Sequence, residues 1–238
     1  AQAGVRYSIK KPKSYFKSNL EGFFNILELS KNNKIKHLIF ASTSSVYGYS
    51  DKFPLSENDN TDKPVSFYAA TKKSNEVMAY SYSSLYKIPC TGIRFFTAYG
   101  PYGRPDMALF KFTKSIIEDK KIELFNNGKH VRDFTYIDDV SNSIIKLITK
   151  IPNYKIPYNI YNIGNSKPEK LKSFLNEIEK NLEKKSKIIS KKLQKGDVYK
   201  THANIDKLVK RIDFKPVVQI KTGIKKFIEW YIDYYKIK

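Results

Sequence analysis

Residues 36–48 read KHLIFASTSSVYG. A short apolar run ends in four consecutive hydroxyl residues, Ser42, Thr43, Ser44 and Ser45, followed by Val-Tyr-Gly. Short β-favouring runs bounded by polar chain are buried strands. The end of a strand needs at most a hydroxyl or two to satisfy loose backbone groups, so four in a row ask for another use.

The flanks supply the fold. Upstream, Pro12 suits a helix start, and Phe16, Leu20, Phe23, Phe24 and Leu27 recur at helical spacing up to Asn32-Asn33. Residues 1–7 read as loop. Downstream, residues 49–66 are polar and broken by Pro54 and Pro64, a loop; Phe67 to Lys87 reads as a helix, and CTGIRFFTAYG (90–100) as a second buried strand. Strand, helix and strand at this spacing make a right-handed crossover in a parallel sheet.

Further on, residues 108–119 read as helix. IELF and HVRDFTY flank Asn126-Asn127-Gly128-Lys129, the pattern of a hairpin. Asp138 or Asp139 is placed to cap a helix running to Lys150. YNIYNIGN is a strand and turn, Leu171–Lys184 a helix, SKIISKKL a strand, and 222–235 an amphipathic helix carrying Trp230. The class is α/β. The expected division is a parallel-sheet domain over 1–105 and a smaller α/β lobe over 106–238, interleaved with returning sheet elements.

Composition narrows the options. An apolar fraction of 41% with 14% aromatics supports a core, and no run approaches the length of a membrane span. The lone Cys90 excludes an internal disulfide and points to a reducing compartment, the cytoplasm. The net charge of +21 is carried by lysines spread along the chain; the only arginines are Arg6, Arg94, Arg104, Arg132 and Arg211. Scattered lysine reads as solvated surface, not as a nucleic-acid stripe, and the three histidines form no metal-ligand pattern.

Ligands of open parallel sheets bind beyond the carboxyl ends of the strands. Between the two strands lies Tyr68-Ala-Ala-Thr-Lys72, whose phenol and ammonium share a helix face. A nearby ammonium favours the phenolate and turns Tyr68 into a base. The spacing alone is unspecific. Chance predicts about three Tyr–Lys pairs four apart, and the chain has three, at 7/11, 68/72 and 234/238. Only the pair at 68/72 starts a helix between two buried strands.

FASTSSVYG, YAATKKSNE, IRFFTAYGPYGRPDMALF and VRDFTYIDDV, in that order, resemble an extended short-chain dehydrogenase/reductase, and within it the UDP-glucuronate 4-epimerases. The resemblance implies a Rossmann-like domain, NAD as cofactor, a UDP-sugar substrate and transient oxidation at C4. It makes Tyr68 the base and gives Thr43 the hydrogen bond to the 4-hydroxyl. Ser44, Ser45 and Arg6 border the sugar, and Lys72 holds the nicotinamide ribose with Asn19 on the same side. Arg132 grips the diphosphate, Thr97 and Arg104 hold a uronate carboxylate, and Asp197 contacts the uridine ribose or orders its loop. Arg94, inside a strand, is structural.

The resemblance also carries exclusions and departures. Ser45 stands where related dehydratases and decarboxylases carry an acid, which removes those reactions. Lys195 and Asn204 depart from the nucleotide-end pattern QxGDVxxTxAD, while Gln194 leans toward the uronate enzymes. No Gly-x-x-Gly-x-x-Gly turn occurs, so the chain is expected to begin after the family's fourth strand. Relatives often dimerise through a helix pair, for which 12–33 and 67–87 serve here. Two other readings stay open: epimerisation of UDP-glucose or UDP-N-acetylglucosamine, and a non-catalytic nucleotide-sugar-binding remnant.

Overall fold

A computed structural model of the protein describes residues 1–192 and 197–237. Helices α1 (Val5–Lys10) and α2 (Pro12–Tyr15) lead through a π-helical turn (Phe16–Glu21) into α3 (Gly22–Asn32). Strand β1 (Leu38–Thr43) and a 3-10 turn (Ser44–Tyr47) precede the long α4 (Phe67–Tyr86), then β2 (Cys90–Phe95) and β3 (Thr97–Tyr99). There follow α5 (Ala108–Ile117), β4 (Lys121–Phe125), β5 (Val131–Tyr136), α6 (Ile137–Ile148), β6 (Tyr158–Ile163), β7 (Pro168–Lys170) and α7 (Leu171–Leu182). The chain closes with β8 (Lys187–Lys191), α8 (Asp206–Ile212) and α9 (Ile220–Tyr234).

Two compact units result. One comprises Ala1–Phe96, Asn142–Ile163 and Ala203–Phe214; the other Thr97–Ser141, Gly164–His202 and Lys215–Lys238. The first is built on the parallel sheet β1-β2-β6, in register from Leu38↔Cys90 and Cys90↔Tyr158. The β1–α4–β2 crossover read from the sequence is therefore present. Ser66 caps α4 by accepting the Ala69 N–H, and Lys87 ends it in the left-handed conformation just before Ile88-Pro89. Leu27, Phe40, Ala79, Ile88 and Cys90 form the core beneath it. Gly92 is required there because a Cβ would come within 2.9 Å of the Phe40 ring.

The second unit gathers Tyr99, Phe110, Phe134, Tyr136, Phe174 and Phe227 into an aromatic core. Gly223 lets α9 lie on it; a Cβ at this position would meet the Tyr99 hydroxyl at 2.3 Å.

Several expectations are corrected. Residues 90–100 are not one strand: β2 stops at Phe95, and β3 pairs with β5 in a different sheet. The expected hairpin is absent. Parallel β4–β8 pairing replaces it, while β5 takes β3 on one edge and antiparallel β7 on the other. The two strands live in different surroundings. β4 alternates buried Ile122 and Leu124 with exposed neighbours, whereas β5 is buried continuously over residues 133–136 and needs partners on both edges. Residues 5–7, expected as loop, already belong to helix α1. Asp139 lies in the first turn of α6, and its buried carboxylate accepts the Val217 and Val218 N–H groups at 3.1 and 2.9 Å.

Burial in the first unit sets an alkaline limit on stability. It pushes the Tyr47 phenol, despite Arg94, and the Cys90 thiol each up to about 12. Tyr158 is raised as well, by burial first and then by Glu76. A raised acid is neutral in the folded state while the unfolded chain ionises. Its stabilisation is thus complete below the unfolded pKa, near 9 for Cys90 and 10 for Tyr47, and is lost as pH rises toward 12. Each such group is worth on the order of 3 kcal/mol. Urea midpoints should therefore hold up to about pH 9 and fall steeply between about 10 and 12.

Candidate active site

In the first unit the hydroxyl cluster divides its labour. The buried Ser42 hydroxyl donates to Glu76 Oε1 at 2.6 Å. Arg94 closes on the same carboxylate, Nε to Oε1 at 2.9 Å and Nη2 to Oε2 at 2.8 Å, with its guanidinium 4.8 Å from the Tyr47 ring centre. Ser42 is thus part of the scaffold. Thr43 ends β1 and starts the 3-10 turn: its Oγ1 accepts the Ser45 N–H and donates to Ser45 Oγ, both at 3.2 Å. Ser44 and Ser45 are half-buried.

Tyr68, Lys72 and Glu76 follow one another at four-residue intervals on one face of α4. The half-buried Tyr68 ring stands edge-on to Tyr15, centroids 6.0 Å apart. Lys72 is buried and its Nζ donates to the Ala41 carbonyl at 2.8 Å, fastening α4 to the end of β1. Burial lowers its pKa. The buried charge therefore costs stability below the folded pKa, and that cost is relieved as pH rises through it.

Asn19 sits in the π-helical turn with its amide engaged on both sides. Nδ2 donates to Gln2 O and Thr71 Oγ1, each at 3.0 Å, and Oδ1 accepts the Gln2 N–H at 2.6 Å. In this arrangement its two donors are spent on ordering residues 2 and 71. Arg6 lies exposed on α1. Glu76 was not read from the sequence as part of this constellation. The signal for it was Arg94: an arginine inside a buried strand requires a buried carboxylate.

In the second unit Thr97 opens β3, and a turn from Gly100 carries the chain to Arg104. Arg104 grips Asp106 through two donors, Nε to Oδ1 at 2.9 Å and Nη2 to Oδ2 at 2.5 Å. Thr97 and Arg104 line one small, partly open recess of about 40 Å³, walled by Tyr99, Phe110, Phe134, Phe174 and Phe227. Arg132, on β5, gives Nη1 to the carbonyls of Val131 and Tyr199 at 3.0 and 3.1 Å. Asp197 is half-buried just before the bridge that pairs Lys200 with Val131. Gln194 and Lys195 lie outside the described residues.

The first unit fits a nicotinamide ribose in one respect. An ammonium carries three donors, and Ala41 takes one of those on the buried Lys72. A ribose diol supplies acceptors of the kind such a cation needs.

The family model described as NAD dependent epimerase/dehydratase matches residues 1–164. The chain belongs to that family. The protein is thus an NAD-dependent epimerase, and NAD is its cofactor. It is 52% identical to "Protein CapI" of Staphylococcus aureus, covering 99% of this chain and 75% of the relative. It is 44% identical to a "Probable UDP-glucuronate 4-epimerase" of Rhizobium meliloti (strain 1021), covering 99% and 74%. Among solved structures it resembles the UDP-glucuronic acid 4-epimerase of Bacillus cereus in complex with UDP-glucuronic acid and NAD, at 31% identity. The TM-score is 0.92, over 99% of this chain and 74% of that one. No helix among the described residues of this epimerase is long and apolar enough to cross a membrane.

Proposed function

We propose that the protein interconverts UDP-glucuronate and UDP-galacturonate by epimerisation at C4. The observation that carries the uronate reading is the recess in the second unit, where Thr97 and Arg104 share one lining. Arginine matches a carboxylate geometrically, donor pair to oxygen pair. The sequence relatives named as, or complexed with, uronate substrates support the same choice.

In this reading Tyr68 removes the proton of the 4-hydroxyl, with Thr43 hydrogen-bonded to that oxygen. Lys72 favours the phenolate and holds the nicotinamide ribose. NAD, which Lys72 would hold by its ribose, would supply the hydride acceptor and donor for C4. Ser44, Ser45 and Arg6 border the sugar, Arg132 binds the diphosphate, and Asp197 contacts the uridine ribose or orders its loop. A ketone at C4 beside the C5 carboxylate is a β-keto acid, which loses CO2 when the breaking bond aligns with the carbonyl π system. Thr97 and Arg104 hold the carboxylate out of that alignment.

Arg104→Ala should therefore lower kcat/KM for UDP-glucuronate by about 10- to 100-fold, the worth of hydrogen bonds to a charged group, and release some decarboxylated sugar. Steady-state assays with product analysis read both. An unchanged rate would favour the neutral UDP-hexose reading, which needs Tyr68 but not Arg104. Calorimetric binding of UDP without binding of NAD, and without turnover, would instead leave a non-catalytic nucleotide-sugar-binding remnant. We further assign a homodimer to the helices of the first unit, where Phe24 and Leu29 of α3 and Val77, Leu85 and Tyr86 of α4 are exposed. A monomer by sedimentation would remove that assignment. The lone, buried Cys90 fits a cytoplasmic setting.

A further inference from the structure

Arg104 is held by an acid of its own loop. Asp106 takes the Nε–Nη2 edge of the guanidinium with both carboxylate oxygens, at 2.9 and 2.5 Å. The loop that carries the pair has defined anchors. Gly103 N–H donates to Gly100 O at 3.2 Å, Met107 N–H to Arg104 O at 3.1 Å, and α5 begins one residue later. Tyr102, left-handed at φ 57°, places its ring 5.0 Å from Trp230 and 6.1 Å from Tyr234 of α9. The backbone on either side of Arg104 is therefore fixed, while its side chain is 45% exposed and that of Asp106 57%. An ion pair so exposed is exchangeable, because water and salt already compete for it.

We infer that Asp106 is a built-in competitor for the arginine that reads the substrate carboxylate, and hence a specificity-determining residue. This rests on the uronate reading of Arg104. A uronate carboxylate is chemically the same partner as Asp106 and replaces it like for like, two oxygens for two oxygens. The hydroxymethyl group of a neutral hexose offers one uncharged oxygen and cannot make that exchange, so neutral sugars meet an arginine already neutralised. After exchange the displaced Asp106 carboxylate stays two residues away and repels the bound uronate. The competition thus weakens binding of uronate substrate and uronate product alike, and it leaves neutral sugars unaffected.

The test is titration calorimetry on the full chain with NAD present, using UDP-glucuronate and UDP-glucose as probes. Asp106→Asn keeps the shape and one acceptor but removes the charge. It should tighten UDP-glucuronate binding about threefold to fivefold, the worth of an exposed ion pair, and leave UDP-glucose unchanged. Asp106→Ala should behave the same way, and the gain should vanish in the Arg104→Ala background. Unchanged or weaker uronate binding in both Asp106 variants, with Arg104→Ala still losing its uronate preference, overturns the inference alone. If Arg104→Ala binds UDP-glucuronate as well as the parent does, the uronate reading falls and the inference with it.

Discussion

Replacing Tyr68 with phenylalanine is expected to lower kcat on the UDP-sugar by on the order of 10²–10⁴, the range for removing a general base. The substitution deletes one oxygen from a half-buried ring. The ring and its edge-on contact with Tyr15 are kept, and the melting temperature, measured in parallel, separates lost chemistry from lost fold. In the proposed reading the phenol acts on the proton in flight, so KM should change far less than kcat. Lys72 provides the companion experiment. An ammonium beside the phenol favours its ionised form, so Lys72→Met should move the acidic limb of the pH–rate profile upward. It also frees the Ala41 carbonyl, which now accepts at 2.8 Å, so unfolding must be measured in parallel. A Tyr68→Phe enzyme within a factor of three of the parent would remove Tyr68 from the chemistry.

Glu76→Gln is expected to destabilise the protein by about 3–5 kcal/mol, the cost of leaving one member of a buried ion pair uncompensated. Glu76 and Arg94 are 3% and 4% exposed at their side chains, so solvent does not screen the loss. The guanidinium would face one neutral amide oxygen in place of a carboxylate, beside the Tyr47 ring and the Glu57 carbonyl at 3.4 Å, and Ser42 would likewise exchange a carboxylate for a neutral amide. Urea denaturation should show a lower midpoint with an unchanged slope. The double variant Glu76→Leu/Arg94→Met should lose much less, since removing both charges removes the desolvation cost along with the attraction. A single-variant loss below about 1 kcal/mol would show that the pair contributes little.

The same residues divide what was legible in the sequence from what was not. That Tyr68 and Lys72 share one face follows from their four-residue separation alone, because helical spacing is a local property. The β1–α4–β2 crossover was legible for a similar reason: two apolar runs separated by one amphipathic helix leave a parallel pair as the short solution. The hydroxyl run could be marked as unusual but not apportioned. Ser42 is scaffold only because Glu76, 34 residues on, lies against it.

Strand partners were the weakest point. The Asn126-Asn127-Gly128 pattern describes a turn but does not choose who pairs with whom. β8 reaches β4 from a remote part of the chain, and β3 leaves the strand it seemed to continue. Nor did the sequence disclose that Asp106 occupies Arg104, since residues two apart on a loop meet only if the backbone turns to let them. By itself, then, the amino-acid order determined the longer helices, the shared face of Tyr68 and Lys72 and the family motifs, all set by interactions within a few residues. The tertiary structure alone decided strand pairing, the split among the hydroxyls and the partner of each buried charge, because those depend on which distant surfaces the hydrophobic cores bring together.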